Sequence, residues 1–520
     1  MPVKSPKRLQ LPPKELKALQ ERIKKRALLD SDWDKIHAMS ETVETLSQVI
    51  EEKNTSIGRL CKYLLGAPTE TARNILKRKE KSEEKPEAPL KKQKGHGKKP
   101  ASAYEGATRV IIEHARLAPK DPCPECEKGK LYELAMPSVF VHITGNAPLK
   151  ATVYERTRLR CNLCGEVFTP ALPAEVGDNK HDESAAAMLA LLKYGCGMPL
   201  NRLEKLQGHL GNPLAASTQW DILNASAIHL APVYDALVEH AAQGQLLHND
   251  DTTMKVLSLL KEPDTENNRT GIFTSGIVSI RDEHRIGLFM TGRQHAGENL
   301  TELLKQRATG LAPPIQMCDA LSRNASKDFE TIMANCLSHA RRQFVAWVNR
   351  FPEECEYVIK KLGTVYHHDA ITKQQALPME ERLKYHQIHS GPLMANLNAW
   401  CNRQIGEKLV EPNSGLGKAI HYMLRHWEKL SRFLHVPGAP LDNNICEQAL
   451  KHAILHRKNA LFYKTQRGAK VGDLFMSLIH TCQMAGINPL DYLTWLLKQA
   501  SKLILSPSDF LPWNYNPQHP

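Results

Sequence analysis

The sequence predicts a multidomain α+β protein with one strand-rich region between helical segments. Its 520 residues are enough for roughly three or four domains that each bury a core. Apolar residues follow helical spacing between residues 182 and 242, alternate with a period of two from Gly244 to Asp319, and return to helical spacing afterwards. We therefore expect one sheet whose chain is interrupted by a long helical insertion.

The charge of the chain indicates a polyanionic partner. The formal net charge is +13 at pH 7, and a basic excess of this size attracts nucleic acid by long-range forces. We expect double-stranded DNA. Because no apolar run is long enough to span a membrane and the N-terminus has no apolar signal core, we predict a cytoplasmic, DNA-associated protein without membrane contact.

Residues 1–68 are predicted to form a coiled-coil, leucine-zipper-like dimerisation segment. Apolar residues recur every seven positions, at Leu29, Ile36, Val43, Ile50, Ile57 and Leu64. Asp32 and Lys53 interrupt the second apolar position, and polar residues there restrict register and strand number. We expect a homodimer or higher homo-oligomer, and the alternative is an amphipathic helix packed on its own chain.

Residues 69–104 are predicted to be a basic flexible linker. Within it, residues 77–99 carry ten Lys or Arg against four Asp or Glu, and proline and glycine interrupt regular structure. Such a segment would bind DNA phosphates with little sequence preference. A solvated linker without defined contacts is the alternative.

Residues 105–172 are predicted to form a DNA-binding zinc ribbon. Two C-x-x-C pairs, separated by 34 residues with strand-like alternation, complete a tetrahedral Zn²⁺ site. Four thiolates leave no open position for a substrate, so this zinc would be structural. The ligands would be Cys123, Cys126, Cys161 and Cys164. Arginines along one face of the last strand are candidates for DNA contact: Arg156, Arg158 and Arg160.

Residues 173–243 are predicted to form a helical, helix-turn-helix-like domain. Two apolar-periodic stretches flank a Gly-Asn-Pro break at residues 211–213. Such a unit would place Ser217, Thr218 and Gln219 in a major groove. Plain scaffold is the alternative.

Residues 244–345 are predicted to be the first part of a ribonuclease H-like core. Three strands, a helix and a fourth strand follow one another, with Asp250 in the middle of the first strand and Asp319 at the end of the fourth. Neighbouring strands lie about 4.8 Å apart, so the two carboxylates can converge if these strands are adjacent. A third carboxylate from a later helix would complete the site.

That helix is predicted between Leu441 and Tyr463, after an all-α insertion at residues 346–438. Asp442 and the two asparagines after it have the chemistry of a helix cap. Apolar residues at helical spacing would be buried, at Ile445, Ala449, Ala453 and Leu461. Glu447, one turn in, is the candidate third carboxylate. The second part of the core would be residues 439–485, and residues 486–520 a C-terminal helix and tail.

Basic and amide side chains near Glu447 suit a phosphate backbone. The expected DNA-binding residues are Arg457, Lys458, Asn459, Arg341 and Arg342, with Arg158 and Arg160 of the ribbon. Surface charges paired with nearby acids are the alternative. Cys336 and His339 have knuckle-like spacing, but two ligands do not make a metal site, so we assign them to helix packing.

Several motifs in one order give the chain a resemblance to the insertion sequence 66 family of DDE transposases. Besides the zipper-like N-terminus and the paired cysteines, they are His248 to Thr252, Asp319 with Asn324, Cys336 to Phe344, Leu441 to Glu447, and Arg457 to Phe462. The resemblance implies a ribonuclease H-like core with Asp250, Asp319 and Glu447 as catalytic triad. Where the family has glutamate after the first aspartate, this chain has Asp251.

A DDE transposase would bind two Mg²⁺ ions, or Mn²⁺ as a substitute, at these carboxylates. It would cleave DNA at the ends of the insertion sequence, and the released 3′-hydroxyl would then attack target DNA. Small accessory proteins of the element are further expected partners. Two alternative functions are a catalytically silent DNA-binding regulator derived from a transposase and a ribonuclease H-like nuclease.

Overall fold

A computed structural model describes most of the chain after residue 178. The described residues are 19, 21–23, 27–37, 102, 111, 118–122, 124, 130–131, 146–160, 162, 167–173, 176, 179–262, 269–326 and 328–517. The four predicted zinc ligands, nearly all of the predicted basic linker and the heptad positions beyond residue 37 lie outside these residues. Residues 1–85 and 86–520 form two separate units.

In the first unit, Asp32 forms an ion pair with Arg22. The guanidinium donates two hydrogen bonds of 2.8 Å to the carboxylate, which also accepts the backbone N–H of Leu29 at 3.0 Å. These bonds hold the pKa of Asp32 down at about 2. The polar residue that interrupts the heptad pattern is thus engaged within its own segment.

The second unit begins, in its described part, with a short hairpin and three helices. Strands β1 (Leu159–Arg160) and β2 (Val167–Phe168) pair antiparallel. Helices α1 (Glu183–Ala190), α2 (Leu200–His209) and α3 (Ala216–Ala242) follow, with a π-helical turn at Leu191–Gly195 after α1. Gln219 of α3 is buried and donates to the carbonyl of Leu214 at 2.8 Å. The burial of Gln219 favours the plain scaffold over a contact of this residue with a DNA groove.

Five strands form one mixed sheet. They are β3 (Leu246–Thr253), β4 (Phe273–Arg281), β5 (His284–Gly292), β6 (Ile315–Cys318) and β7 (Ile332–Asn335). The order across the sheet is β5-β4-β3-β6-β7. Strands β3, β4 and β5 pair antiparallel, whereas β6 is parallel to β3 and β7 is parallel to β6. The strands that carry Asp250 and precede Asp319 are therefore neighbours.

Helices α4 (Leu257–Lys261) and α5 (Ala296–Leu304) lie between these strands in the chain. Six helices follow β7: α6 (Leu337–Trp347), α7 (Pro352–Gln374), α8 (Met379–His389), α9 (Gly391–Gly406), α10 (Gly415–Arg425) and α11 (Trp427–Leu430). Buried Asp369 of α7 accepts a hydrogen bond of 2.7 Å from Arg382 of α8, which joins these two helices. The region between the two predicted parts of the core is thus helical.

The chain then returns to the sheet through α12 (Asn444–Ala460), α13 (Gln466–Met484) and α14 (Pro489–Lys498). One continuous hydrophobic core includes residues of α1, α3, the sheet, and α12 to α14. The helices before the sheet and those after it therefore share a core with the strands. No described helix has the length and apolar composition that a membrane span requires.

Helix α13 covers the free edge of β5. Three of its side chains, spaced four residues apart, accept hydrogen bonds from backbone N–H groups of alternate β5 residues. The pairs are Asp473 with Thr291 at 2.7 Å, Ser477 with Phe289 at 3.0 Å, and Thr481 with Gly287 at 3.1 Å. Because exposed edge strands pair readily with other chains, these bonds close one side of the sheet.

Candidate active site

Asp250 and Asp319 lie side by side on neighbouring strands. The parallel register of β3 and β6 places His248 opposite Met317. Asp250 and Asp319 each follow two residues later, so they also lie opposite each other. The side-chain amide of Asn324 donates to Oδ1 of Asp319 at 2.6 Å and to Oδ1 of Asp250 at 3.3 Å. One buried amide nitrogen thus holds both carboxylates together.

Asp250 is in a negatively charged environment. Burial is the main cause that raises its pKa to about 6. The charges of Asp319, Asp251 and Glu447 raise it further, while a hydrogen bond of 2.8 Å from the backbone N–H of Asp251 opposes the shift. Since like charges disfavour ionisation, a bound cation would stabilise the ionised form of this group.

Helix α12 packs across β3 and β4 and brings Glu447 towards these acids. Gly276 of β4 lies opposite Asp250, and its carbonyl accepts a hydrogen bond of 3.2 Å from the thiol of Cys446. A Cβ at Gly276 would lie only 3.0 Å from the side chain of Leu450, on the next turn of the helix. The missing side chain therefore permits this close approach, and Glu447 lies in the first turn of α12 as predicted.

Glu447 forms an ion pair with Arg342 of α6. Nη2 of Arg342 donates to Oε2 of Glu447 at 2.9 Å, and Nδ1 of His339 lies 3.7 Å from Oε1. The Glu447 side chain is 24% exposed, so part of it is open to solvent. The helix before the insertion and the helix after it therefore meet at this carboxylate.

Asn443 joins three segments around the site and is completely buried. Its Nδ2 donates to the carbonyl of Asn249 at 3.1 Å, and its backbone N–H donates to Sγ of Cys336 at 3.3 Å. Its Oδ1 lies 3.0 Å from Nδ1 of His248. Burial lowers the pKa of His248 to about 4, so the ring is neutral and Nδ1 is the donor in this bond.

The cap expected at this turn is only partly present. Asp442 accepts the backbone N–H of Asn444 at 3.1 Å and its side-chain amide at 2.8 Å. Asn443, the residue before the helix, makes no side-chain cap hydrogen bond, because its amide is used for the contacts with β3. Asp442 and Asn444 thus fix the turn locally, while Asn443 attaches it to the sheet.

Asp251 lies on the other face of the sheet. Its carboxylate pairs with Nδ1 of His295 at 2.8 Å and lies 3.4 Å from Nη2 of Arg323. His295 precedes α5, which packs on β3 and β4 on the side opposite α12. Since neighbouring residues of a strand point to opposite faces, Asp250 and not Asp251 shares a face with Glu447.

Cys336, His339 and Glu447 form a second group of potential ligands. One ligand atom of each lies within 4.8 Å of those of the other two. Burial raises the pKa of Cys336 to about 12, and its sulfur accepts the N–H of Asn443. Cys336 is fully buried and its sulfur bonds to the turn before α12, which agrees with a packing role.

The predicted DNA-binding residues differ in their accessibility. Arg457 donates to the hydroxyl groups of Thr252 at 3.0 Å and Thr253 at 2.6 Å, which ties the end of α12 to the end of β3. Arg341 is buried. The exposed members of the set are Lys458, Arg158 and Arg160, and Asn459 is half-buried. Leu461, expected on the buried face of α12, is 62% exposed and lies beyond the end of the helix.

Two contacts of the site were not predicted. Asn324 was part of a motif, five residues after Asp319, but nothing assigned a role to its amide. Arg342 is expected to contact DNA or to pair with an acidic residue, and it pairs with Glu447 across 105 residues of chain, a partner that the sequence does not identify. The helical spacing of Arg342 and His339 is a local signal that both face one partner, but the identity of that partner depends on tertiary structure.

Clustered carboxylates at the end of a mixed sheet are typical of enzymes that act on phosphodiester bonds. A model of the transposase IS66 family matches residues 180–471, which is more than half of the chain. The chain belongs to this family. It is therefore a DNA-binding protein of the nucleotidyl-transfer class associated with transposition.

Similar proteins occur in Sinorhizobium fredii. Uncharacterized protein y4jD is 27% identical over 424 residues, which cover 78% of this chain and 80% of that protein. Uncharacterized protein y4hP is 25% identical over 436 residues, which cover 78% of this chain and 75% of that protein. The similarity thus extends well beyond the residues of the candidate site.

Proposed function

We propose that this protein is a DNA transposase that binds the ends of an insertion sequence and catalyses Mg²⁺-dependent strand cleavage and strand transfer. Asp250, Asp319 and Glu447 would be the catalytic carboxylates of a ribonuclease H-like core. The observation that carries this proposal is the Asn324 amide, which holds the first two carboxylates together on the face where α12 presents the third.

The donor set fits the proposed metal ions. Carboxylate oxygens are the ligands that Mg²⁺ takes in proteins, and the crowding of negative charge that raises the pKa of Asp250 would favour divalent cations. When bound, two Mg²⁺ or Mn²⁺ ions would activate the attacking oxygen and neutralise charge on the leaving oxygen.

The protein itself would orient the reacting groups. Asn324 keeps the carboxylates of Asp250 and Asp319 adjacent, and Asn443 fixes the turn that carries Glu447 against β3. Arg342 balances the charge of Glu447 in the free protein and would be available to a DNA phosphate once the carboxylate binds a cation. Arg457 would instead keep the end of α12 on β3.

The remaining parts of the chain would bind DNA and assemble the protein–DNA complex. Residues 1–68 would form the coiled-coil homodimer, 69–104 a basic linker and 105–172 a ribbon with structural Zn²⁺ at the four paired cysteines. Residues 173–243 would support the core parts at 244–345 and 439–485, which the insertion at 346–438 separates, and 486–520 would form the C-terminal helix and tail. Accessory proteins of the element are further proposed partners.

The decisive experiment uses DNA that carries the inverted repeats flanking the gene. Full-length protein with Mg²⁺ should cut this DNA and join the new 3′ end to an unrelated plasmid. Glu447→Gln should abolish both reactions and leave DNA binding intact. Asp442→Asn is the matched control, because it changes an acid five residues away whose carboxylate accepts hydrogen bonds from Asn444 within the same turn, and it should keep most activity.

Other outcomes would distinguish the alternatives. Binding without any cleavage would indicate a catalytically silent regulator. Cleavage without joining of 3′ ends would indicate a nuclease. Full activity of the Glu447→Gln variant would remove this residue from the site.

A further inference from the structure

A tight turn directly after α12 holds an unusual backbone conformation. Leu461 has φ +70° and ψ −41°, and the N–H of Phe462 donates to the carbonyl of Ala460 at 2.9 Å. These values describe a γ-turn of the rare, strained kind. A β-carbon disfavours this region, so a leucine there costs folding free energy.

The turn is held in place from both sides. Before it, the N–H of Leu461 donates to the carbonyl of Arg457 at 2.9 Å. After it, buried Tyr463 exchanges backbone hydrogen bonds with the segment that follows β3: its N–H donates to Lys255 at 2.8 Å, and its carbonyl accepts from Leu257 at 2.9 Å. The fixed helix end and the fixed Tyr463 therefore maintain the strained conformation.

The turn presents two large apolar side chains to solvent. Leu461 is 62% exposed and Phe462 is 42% exposed. Exposure of adjacent apolar side chains of this size to water is unfavourable, and burial against a partner would lower the free energy. We call Leu461 and Phe462 the apolar wedge.

The wedge lies among cations, at the opposite end of α12 from Glu447 and about 21 Å from it along the helix axis. Arg457, one helical turn before the wedge, bonds to Thr253 at the end of β3. Thr253 is three residues beyond Asp250, so these two residues of β3 are about 10 Å apart. Lys255, Lys458 and Lys464 flank the turn and are exposed. Positive charge around a small apolar surface is unsuited to a second basic copy of this chain and complements DNA.

We propose that the apolar wedge inserts between bases of the bound DNA and unstacks one base step there. Apolar side chains that enter a base step kink the duplex, and the unstacking energy is recovered through additional contacts. The flanking lysines would bind the phosphates on either side. This inference rests on the proposed function, because it assigns a role in DNA recognition to the end of the helix that carries the proposed catalytic Glu447.

Binding to damaged duplexes tests the wedge without knowledge of the cognate ends. The probes are a fluorescein-labelled duplex and the same duplex with one abasic site, which has already lost stacking. Full-length protein should bind the abasic duplex about tenfold more tightly, because less unstacking energy is required. The double variant Leu461→Ala/Phe462→Ala should lose this preference and keep the affinity and salt dependence measured on the intact duplex.

Two further variants make the test specific. Leu461→Gly/Phe462→Ala removes the wedge and also relieves the strained φ, so it should fold at least as well as the natural protein and still lose the preference. Ile504→Ala/Leu505→Ala is the matched control: it removes an equally large exposed apolar pair from the C-terminal tail and should leave the preference unchanged.

The remaining outcomes separate this inference from the proposed function. Equal binding of both duplexes by the natural protein, or an unchanged preference in both wedge variants, would overturn the wedge alone. A change in oligomeric state without a change in DNA preference would make the pair a protein interface and also overturn it. If the natural protein prefers the abasic duplex but neither cleaves nor joins DNA, the proposed function alone would be overturned. If the natural protein binds no duplex, both proposals would be overturned.

Discussion

Replacement of Asn443 by alanine should loosen the attachment of α12 to the sheet. The side chain of Asn443 bonds both to Nδ1 of His248 and to the carbonyl of Asn249, and all three residues are buried. Alanine would leave the histidine donor and the asparagine acceptor without partners, in a place that water does not reach. Asn444→Ala is the matched control, because Asn444 is half-buried and bonds to Asp442 within the same turn.

The size of the effect follows from the two buried groups. A buried polar group that loses its partner costs about 1–3 kcal/mol, so Asn443→Ala should lower the free energy of local opening around β3 by about 3 kcal/mol. Asn444→Ala should cost no more than about 1 kcal/mol, since its groups can bond to water. A difference of about 2 kcal/mol between neighbouring variants is large enough to measure.

Native-state hydrogen exchange followed by mass spectrometry reports this opening locally, without the assumption that a chain of this length unfolds in one step. About 3 kcal/mol corresponds to roughly 100-fold faster exchange in peptides that contain His248 and Asn249, against less than tenfold for Asn444→Ala. Equal exchange rates in the two variants would refute the role assigned to Asn443.

Three other predictions concern single residues. Leu461→Gly should raise the free energy of local opening at the end of α12 by about 1 kcal/mol because glycine tolerates a positive φ, as measured by native-state hydrogen exchange. The pKa of Asp473 is raised to about 7, mainly by burial. The folded state therefore binds more protons than the unfolded state between about pH 4 and 7, so stability should fall as the pH rises through that range. The fall is measured as a decrease in melting temperature, and Asp473→Asn should remove it. Gly276→Ala should crowd Leu450 and displace α12, which should lower Mg²⁺-dependent cleavage several-fold, and Leu450→Ala in the same chain should restore part of it.

Each of these predictions has a contrary outcome. A less stable Leu461→Gly protein would mean that the leucine side chain contributes packing that outweighs the strain. An unchanged pH profile in Asp473→Asn would exclude this carboxyl group as the titrating group. Normal cleavage by Gly276→Ala would show that α12 tolerates a shift without loss of the site geometry.

The strands and the acids of the candidate site were accessible from sequence for local reasons. β3, β4 and β5 are eight or nine residues long, which is long enough for a strand pattern to be visible in the sequence. Burial itself does not alternate along them, because β4 lies inside the sheet, between β5 and β3, with six consecutive buried residues. β6 and β7 have only four residues each, so neither contains a readable period; β6 is predicted from its place before Asp319, whereas β7, I-M-A-N, is not predicted. The helix that carries Glu447 was predicted because its turn chemistry and apolar spacing agree.

The connections between segments were not accessible in this way. Asn443 has the same chemistry whether it caps its own helix or bonds to β3, and only the fold decides between these partners. Leu461 falls at helical spacing, which predicts burial, but the helix ends one residue earlier and the strained turn reverses the direction of its side chain. Arg342 is a generic cation in sequence until α6 and α12 are brought together.

The closure of β5 by α13 also has a consequence for synthesis. The strand is complete at residue 292, but the helix that occupies its outer N–H groups begins only at residue 466. A nascent chain therefore carries an unpaired edge strand while the whole insertion and α12 are translated. Chains that terminate before α13 would retain that edge and be prone to aggregation, so a full-length C-terminal region protects newly made protein as well as the finished fold.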